Sequence, residues 1–137
     1  MLKGKYMIYL RMFCIASVTI LLMDIVWLGF LSKALYTKHL GHFFHITPTG
    51  MKLNYIAASI VYLCLILGII LFVLPKAQSS VISAFFWGAI FGLITYAIYD
   101  CTNLAIIKNW PLYISIVDIA WGAFLCGTTS AITMWLK

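Results

Sequence analysis

A chain of 137 residues that is 65% hydrophobic and only 9% charged carries more apolar surface than one soluble core of this size can hide. Its nine Lys and Arg oppose three acids, for a formal charge of +6, and in so apolar a chain that excess belongs to loops beside lipid headgroups. A water-soluble domain, a disordered tail and a basic nucleic-acid module are thereby excluded, and the composition describes an all-α, polytopic membrane protein.

A hydrocarbon layer about 30 Å thick takes roughly 20 apolar residues of helix, and four stretches qualify. The first covers 7–31. Lys3, Lys5 and Arg11 resemble the basic start of a signal peptide, but the apolar run is too long, contains Asp24 and lacks a small-x-small cleavage site, so a retained span is expected. The loop that follows holds His39, His42 and His45 at three-residue spacing. One helical turn would gather them for metal capture or pH sensing. No compact ligand motif accompanies them, and the favoured reading is an interfacial segment over 36–44 with its aromatic rings at the headgroups; no metal or cofactor is expected.

Thr47-Pro48-Thr49-Gly50 is turn chemistry, and the second span covers 53–74, closed by Pro75. The third covers 81–107. Its small residues Ala84, Gly88 and Gly92 recur every four positions, and Gly122, Cys126 and Ser130 do the same on the fourth span, 112–136. Such strips let helix backbones approach closely, within the chain or in a homo-oligomer. Trp110-Pro111 opens the fourth span with a proline where its missing N–H costs least. Short links favour an antiparallel four-transmembrane-helix bundle as one membrane domain over 1–137. Trp110, Tyr113 and Trp135 read as interfacial belt residues. Cys14, Cys64, Cys101 and Cys126 form no C-x-x-C pair and read as small hydrophobes.

Lys3, Lys5, Arg11, Lys76 and Lys137 lie towards the terminal end of such a bundle, and Lys33, Lys38, Lys52 and Lys108 towards the other. The positive-inside rule leans, by one charge, to both termini in the cytoplasm.

All the acids, Asp24, Asp100 and Asp118, fall within spans, and no Lys or Arg lies mid-span to neutralise them. A charge at the bilayer centre costs about 2.5–3.5 kcal/mol even on the lenient insertion scale, so these carboxyls are expected to face the bundle interior. Asp24 stands seven residues before Leu31, Asp100 seven before Ile107 and Asp118 seven after Pro111, each roughly 10 Å deep at the helical rise, which would bring all three to one level. Tyr96, Asp100 and Asn103 share a helical face on the third span. Ser115, Asp118, Gly122 and Thr129 form a stripe on the fourth, and Asn54, Tyr55, Ser59 and Tyr62 cluster in the loop-side half of the second. The remainder of that second span is apolar. Asp24-Ile-Val-Trp27 and Asp118-Ile-Ala-Trp121 echo one another on helices of opposite direction, placing one indole above the acids and one below.

The stretches Asp24-x-x-Trp27-Leu28-Gly29, Tyr99-Asp100-Cys101-Thr102-Asn103-Leu104-Ala105, Trp110-Pro111 and Asp118-x-x-Trp121-Gly122 resemble a family of small bacterial predicted membrane proteins, a domain of unknown function. The resemblance covers nearly the whole chain, Tyr36 with Leu40-Gly41 and Pro75 included. Where that pattern has Leu this chain has Cys101, which argues against a cysteine mechanism, and the loop histidines have no counterpart in it. The resemblance implies four spans in a bacterial inner membrane and brings no established activity.

From the residues, the leading expectation is an Asp-lined, proton- or cation-linked pocket for a lipid or small hydrophobic ligand. Asp24, Asp100 and Asp118 would bind, Asn103, Thr102, Tyr96 and Tyr99 would orient, and Trp27 and Trp121 would wall the pocket. The rivals are a small proton-coupled transporter acting as an oligomer, a membrane-embedded lipid-modifying enzyme and a structural subunit. No phosphate loop, catalytic triad or dinucleotide fingerprint is present to favour an enzyme.

Overall fold

A computed structural model describes residues 2–48 and 50–137. Four of its helices, Gly4–Leu31, Tyr55–Lys76, Val81–Ile106 and Leu112–Leu136, are long and apolar enough to cross a membrane. A spanning backbone must satisfy its own polar groups, and a helix does so within the segment.

Helix α1 (Leu2–Val26) runs without a break into a wider π turn, Trp27–Leu31. Ser32 ends it: its backbone N–H and its side-chain hydroxyl both donate to the Trp27 carbonyl, each at 2.8 Å. A short α2 (Lys33–Leu40) and a 3₁₀ turn (Gly41–Phe43) follow, so the interfacial segment is helical. Its rings rest on the link between the last two spans, with Phe43 5.6 Å from Trp110 and His39 6.2 Å from Tyr113 between centroids. The expected turn at 47–50 is bracketed by two antiparallel two-residue strands, β1 (Ile46–Thr47) and β2 (Gly50–Met51); Thr49 lies outside the described residues.

The second span opens with α3 (Tyr55–Gly68), capped by the Asn54 side chain, which accepts from the Ala57 N–H at 3.1 Å. It continues through a π turn, Ile69–Val73, into α4 (Leu74–Lys76). The helix ends at Lys76, one residue beyond Pro75, so the second span closes at its proline as expected. Gln78 and Ser79 then reverse the chain with φ of 50° and 66°, and the Lys76 ammonium sits 4.0 Å over the Trp87 ring. The Ser80 hydroxyl caps α5 (Val81–Ile106) by accepting from the Ser83 N–H. Asn109, at φ 62°, turns the chain into α6 (Leu112–Leu136) behind Pro111.

Helices α5 and α6 form the most extensive contact in the fold. The small-residue strips make it: Ala84, Gly88 and Gly92 are buried, as are Gly122, Cys126 and Ser130. A Cβ on Gly92 would collide with the Gly122 carbonyl, and one on Gly88 with the Ser130 side chain. These faces are consumed inside the chain, so a homo-oligomer would have to pack through other surfaces.

Helix α1 lies against α6, and the second span docks chiefly through its lower part, where the π turn Ile69–Val73 touches α1, α5 and α6. There Ile66, Ile69, Ile70 and Leu74 pack with Ala16, Ile20, Leu125 and Cys126 into the apolar floor. The upper part of α3 stands away, with Tyr55 75% and Ile56 76% exposed. The second span is thus packed along its lower part and parted from α5 higher up. Lys5 and Lys137 line one cavity, so the outer ends of the first and fourth spans emerge on the same side.

At Gly92 an added methyl group meets backbone, which cannot swing aside. Gly92→Ala is expected to lower thermal stability in detergent by about 1–3 kcal/mol, whereas Gly29→Ala, with open space around it, should melt like the wild type.

Candidate functional site

Asp24 is 7% exposed near the end of α1 and is held from two other helices. The Tyr62 hydroxyl of α3 donates to its Oδ2 at 2.9 Å, and the Trp121 indole N–H of α6 donates to its Oδ1 at 2.9 Å. Each oxygen of one carboxyl therefore has a neutral donor from a separate span. This is how a membrane interior accommodates an acid without a cationic partner.

Trp121 also stacks on Trp27, with centroids 4.3 Å apart and planes 5° from parallel. The expectation of one indole above the acids and one below is corrected by this stack, which brings the two rings into contact where α1 changes to the wider π winding at Trp27. The Trp27 N–H approaches the Tyr36 hydroxyl of α2 at 3.4 Å, so the short interfacial helix closes the top of the site.

Beneath it lies a cavity of about 190 Å³ lined by Asp24, Asp118, Trp27, Trp121, Tyr36, Tyr96, Tyr99 and Leu28. Asp118 is half-buried, within electrostatic range of Asp24, and makes no side-chain hydrogen bond among the described residues. One acid is therefore held by two donors and the other by none among the described residues. Gly122 keeps the wall thin, because a Cβ there would strike the Tyr96 ring. Tyr96 and Tyr99 also line a second, apolar cleft of about 560 Å³ with Ile60, Val61, Cys64, Leu65, Phe91 and Thr95. That cleft lies where α3 and α5 part. The two tyrosines are the shared wall between a polar chamber and a greasy groove facing the lipid.

Asp100 is elsewhere. It is fully buried but does not line the cavity; it sits beside Ser115 and Trp110 of the last link and span. Neither of its oxygens has a partner in hydrogen-bonding geometry, and the Asn103 Nδ2 beside it is likewise unpartnered. The Trp110 indole N–H instead donates to the Ser115 hydroxyl at 3.1 Å. The three acids thus do not converge as a trio: Asp24 and Asp118 share a chamber, and Asp100 with Asn103 belongs to a separate polar knot between α5 and the start of α6. Tyr96 stands within electrostatic range of both Asp24 and Asp100. Among the described residues no three His, Cys, Asp or Glu side chains gather as metal ligands. Thr102, expected to orient the acids, is exposed and donates to the Ile98 carbonyl at 2.6 Å. Two positions along a helix turn a side chain by about 200°, which carries Thr102 away from the face of Asp100.

Two wall residues, Tyr36 and Leu28, and the Asp24 donor Tyr62 were absent from the expected site. Tyr62 belonged to the polar stripe of the second span, but its pairing with an acid 38 positions away carries no local signal.

The family profile described as predicted membrane protein (DUF2177) matches residues 9–135. No curated protein matches the chain, and no solved structure does.

Tyr62→Phe removes one donor from Asp24. In a double-mutant cycle with Asp24→Asn, thermal unfolding in detergent should give a coupling of about 0.6–1.7 kcal/mol, the range of interhelical hydrogen bonds in membranes. Asp100→Asn, which replaces a buried carboxyl lacking donors by a neutral isostere, should leave the melting temperature unchanged or raise it.

Proposed function

Because the chain belongs to this family of predicted membrane proteins, a four-span protein of the lipid bilayer, we propose that it binds an amphiphile whose head enters the Asp24–Asp118 chamber and whose tail lies in the cleft between α3 and α5. The observation that carries this reading is adjacency: Tyr96 and Tyr99 border both spaces, so the head and the tail of one molecule would lie on either side of these two side chains.

Volume and chemistry specify the head. The chamber, about 190 Å³, is roughly a third of the size of the apolar cleft, which suits the smaller, polar end of an amphiphile. With Asp24 saturated by donors, Asp118 recognises a group that donates hydrogen bonds or carries positive charge, and the stacked indoles present a π face to the same charge. Binding is therefore linked to a proton or a cation. The apolar cleft reads only length and bulk.

The membrane is the inner membrane of a bacterium, with both termini in the cytoplasm and the acid chamber in the periplasmic half. Single cysteines replacing Lys38 and Lys76, in a background lacking the native thiols, should react with a membrane-impermeant maleimide from opposite sides of spheroplasts. Labelling of each position from both sides would instead support a dual-topology transporter.

The ligand reading is tested with dodecylamine, dodecanol and dodecanoate added to the purified protein. Dodecylamine should bind best, and Asp118→Asn should weaken it by about tenfold, the loss of one charge-assisted hydrogen bond. Cys64→Trp, which fills the cleft from an exposed position, should abolish binding while the melting temperature holds. Equal affinity for the amine and the carboxylate would overturn the reading.

A further inference from the structure

The far end of the bundle carries a second site of opposite sign. A cavity of about 650 Å³ there is lined by Lys5 and Arg11 near the start of α1, Lys137 after α6, and the apolar side chains of Met7, Ile8, Met12, Ile70, Leu74 and their neighbours. The residues come from three spans. Lys5, Arg11 and Lys137 are exposed, while Met12, Ile70 and Leu74 are buried in the groove floor. None of the three acids lies at this end, so the cations have no acidic side chain to pair with in the chain.

From this geometry we infer that the terminal-side groove binds one anionic phospholipid, with its phosphate held among Lys5, Arg11 and Lys137 and an acyl chain laid along Met7, Ile8, Ile70 and Leu74. Position and charge argue for this occupant. The ends of the first and fourth spans stand at headgroup level, and the strip below the cations is hydrocarbon in character. A soluble anion would satisfy the cations and leave the groove bare. A zwitterionic lipid would fill the groove and bring its own cation against three others. Arg11, with its planar fork, can hold two phosphate oxygens at once, and the lysines add point charges. The site is independent of the acid chamber, since none of its lining residues is shared with it.

The test uses the full chain in nanodiscs of phosphatidylcholine doped with phosphatidylglycerol, released for native mass spectrometry and melted in parallel. Wild-type protein should retain a single phosphatidylglycerol over phosphatidylcholine by on the order of tenfold to a hundredfold, the scale set by three basic groups at an anionic headgroup, and should melt higher in its presence. The variant Lys5→Gln/Arg11→Gln/Lys137→Gln should lose that preference. Lys33→Gln/Lys38→Gln/Lys108→Gln, with the same charge removed at the other end, should keep it. Glycerol phosphate, a headgroup without chains, should neither displace the lipid nor raise the melting temperature. Equal retention of the two lipids by wild type, equal loss in both triple variants, or stabilisation by glycerol phosphate would each overturn the inference. The wild-type comparison stands even if the terminal triple variant fails to fold.

Discussion

One buried carboxyl organises the upper half of this protein. Asp24 receives a phenol from α3 and an indole from α6, so three spans are tied to a single side chain inside hydrocarbon. Apolar packing between helices is weakly directional in a lipid solvent, because lipid tails are as apolar as leucine. A polar group that must find donors is directional, and it sets the register of α1, α3 and α6 together. The Trp27–Trp121 stack follows from that register, since the indole that donates to Asp24 is also the one whose face Trp27 covers.

The two halves of the bundle solve different problems. Below, steric fit dominates: glycines on α5 and α6 bring backbones into contact, and the second span presses a ridge of Ile66, Ile69, Ile70 and Leu74 into the remaining space. Above, the same second span stands off and leaves a cleft. The π turn at Ile69–Val73 lies within the packed part of the second span, and the π turn at Trp27–Leu31 lies beside the indole stack on the first. Local widening of a helix is costly unless neighbouring packing compensates, and such turns recur at functional positions. Their placement beside the docking ridge and beside the indole stack couples backbone irregularity to the two features that shape the site.

Charge is distributed along the bundle axis with the same division. The acids lie in the loop-side half and are covered by tyrosine and tryptophan, whereas the terminal end carries Lys5, Arg11 and Lys137 around an apolar groove. A proton- or cation-linked head at one end and an anionic lipid at the other are the ligands proposed for these two ends.

Composition and span lengths were sufficient to read the class and the four helices, because burial in lipid leaves so few ways to satisfy a backbone; the small-residue strips marked contact faces on the third and fourth spans without deciding whether those faces meet within the chain. The sequence grouped Asp24, Asp100 and Asp118 with Asn103, Thr102, Tyr96, Tyr99, Trp27 and Trp121, since an acid in an apolar run has to be accounted for wherever it falls; the cavity takes in Asp24, Asp118, Trp27, Trp121, Tyr96 and Tyr99. Tertiary structure alone decided which acids share a chamber. Depth counted along straight helices put Asp100 with the others, but the depth of a residue says nothing about the azimuth at which helices dock, and Asp100 turns to Trp110 and Ser115 instead. The π turns and the Tyr62 pairing were equally hidden, because both arise from packing between distant segments and leave no periodic trace in the chain.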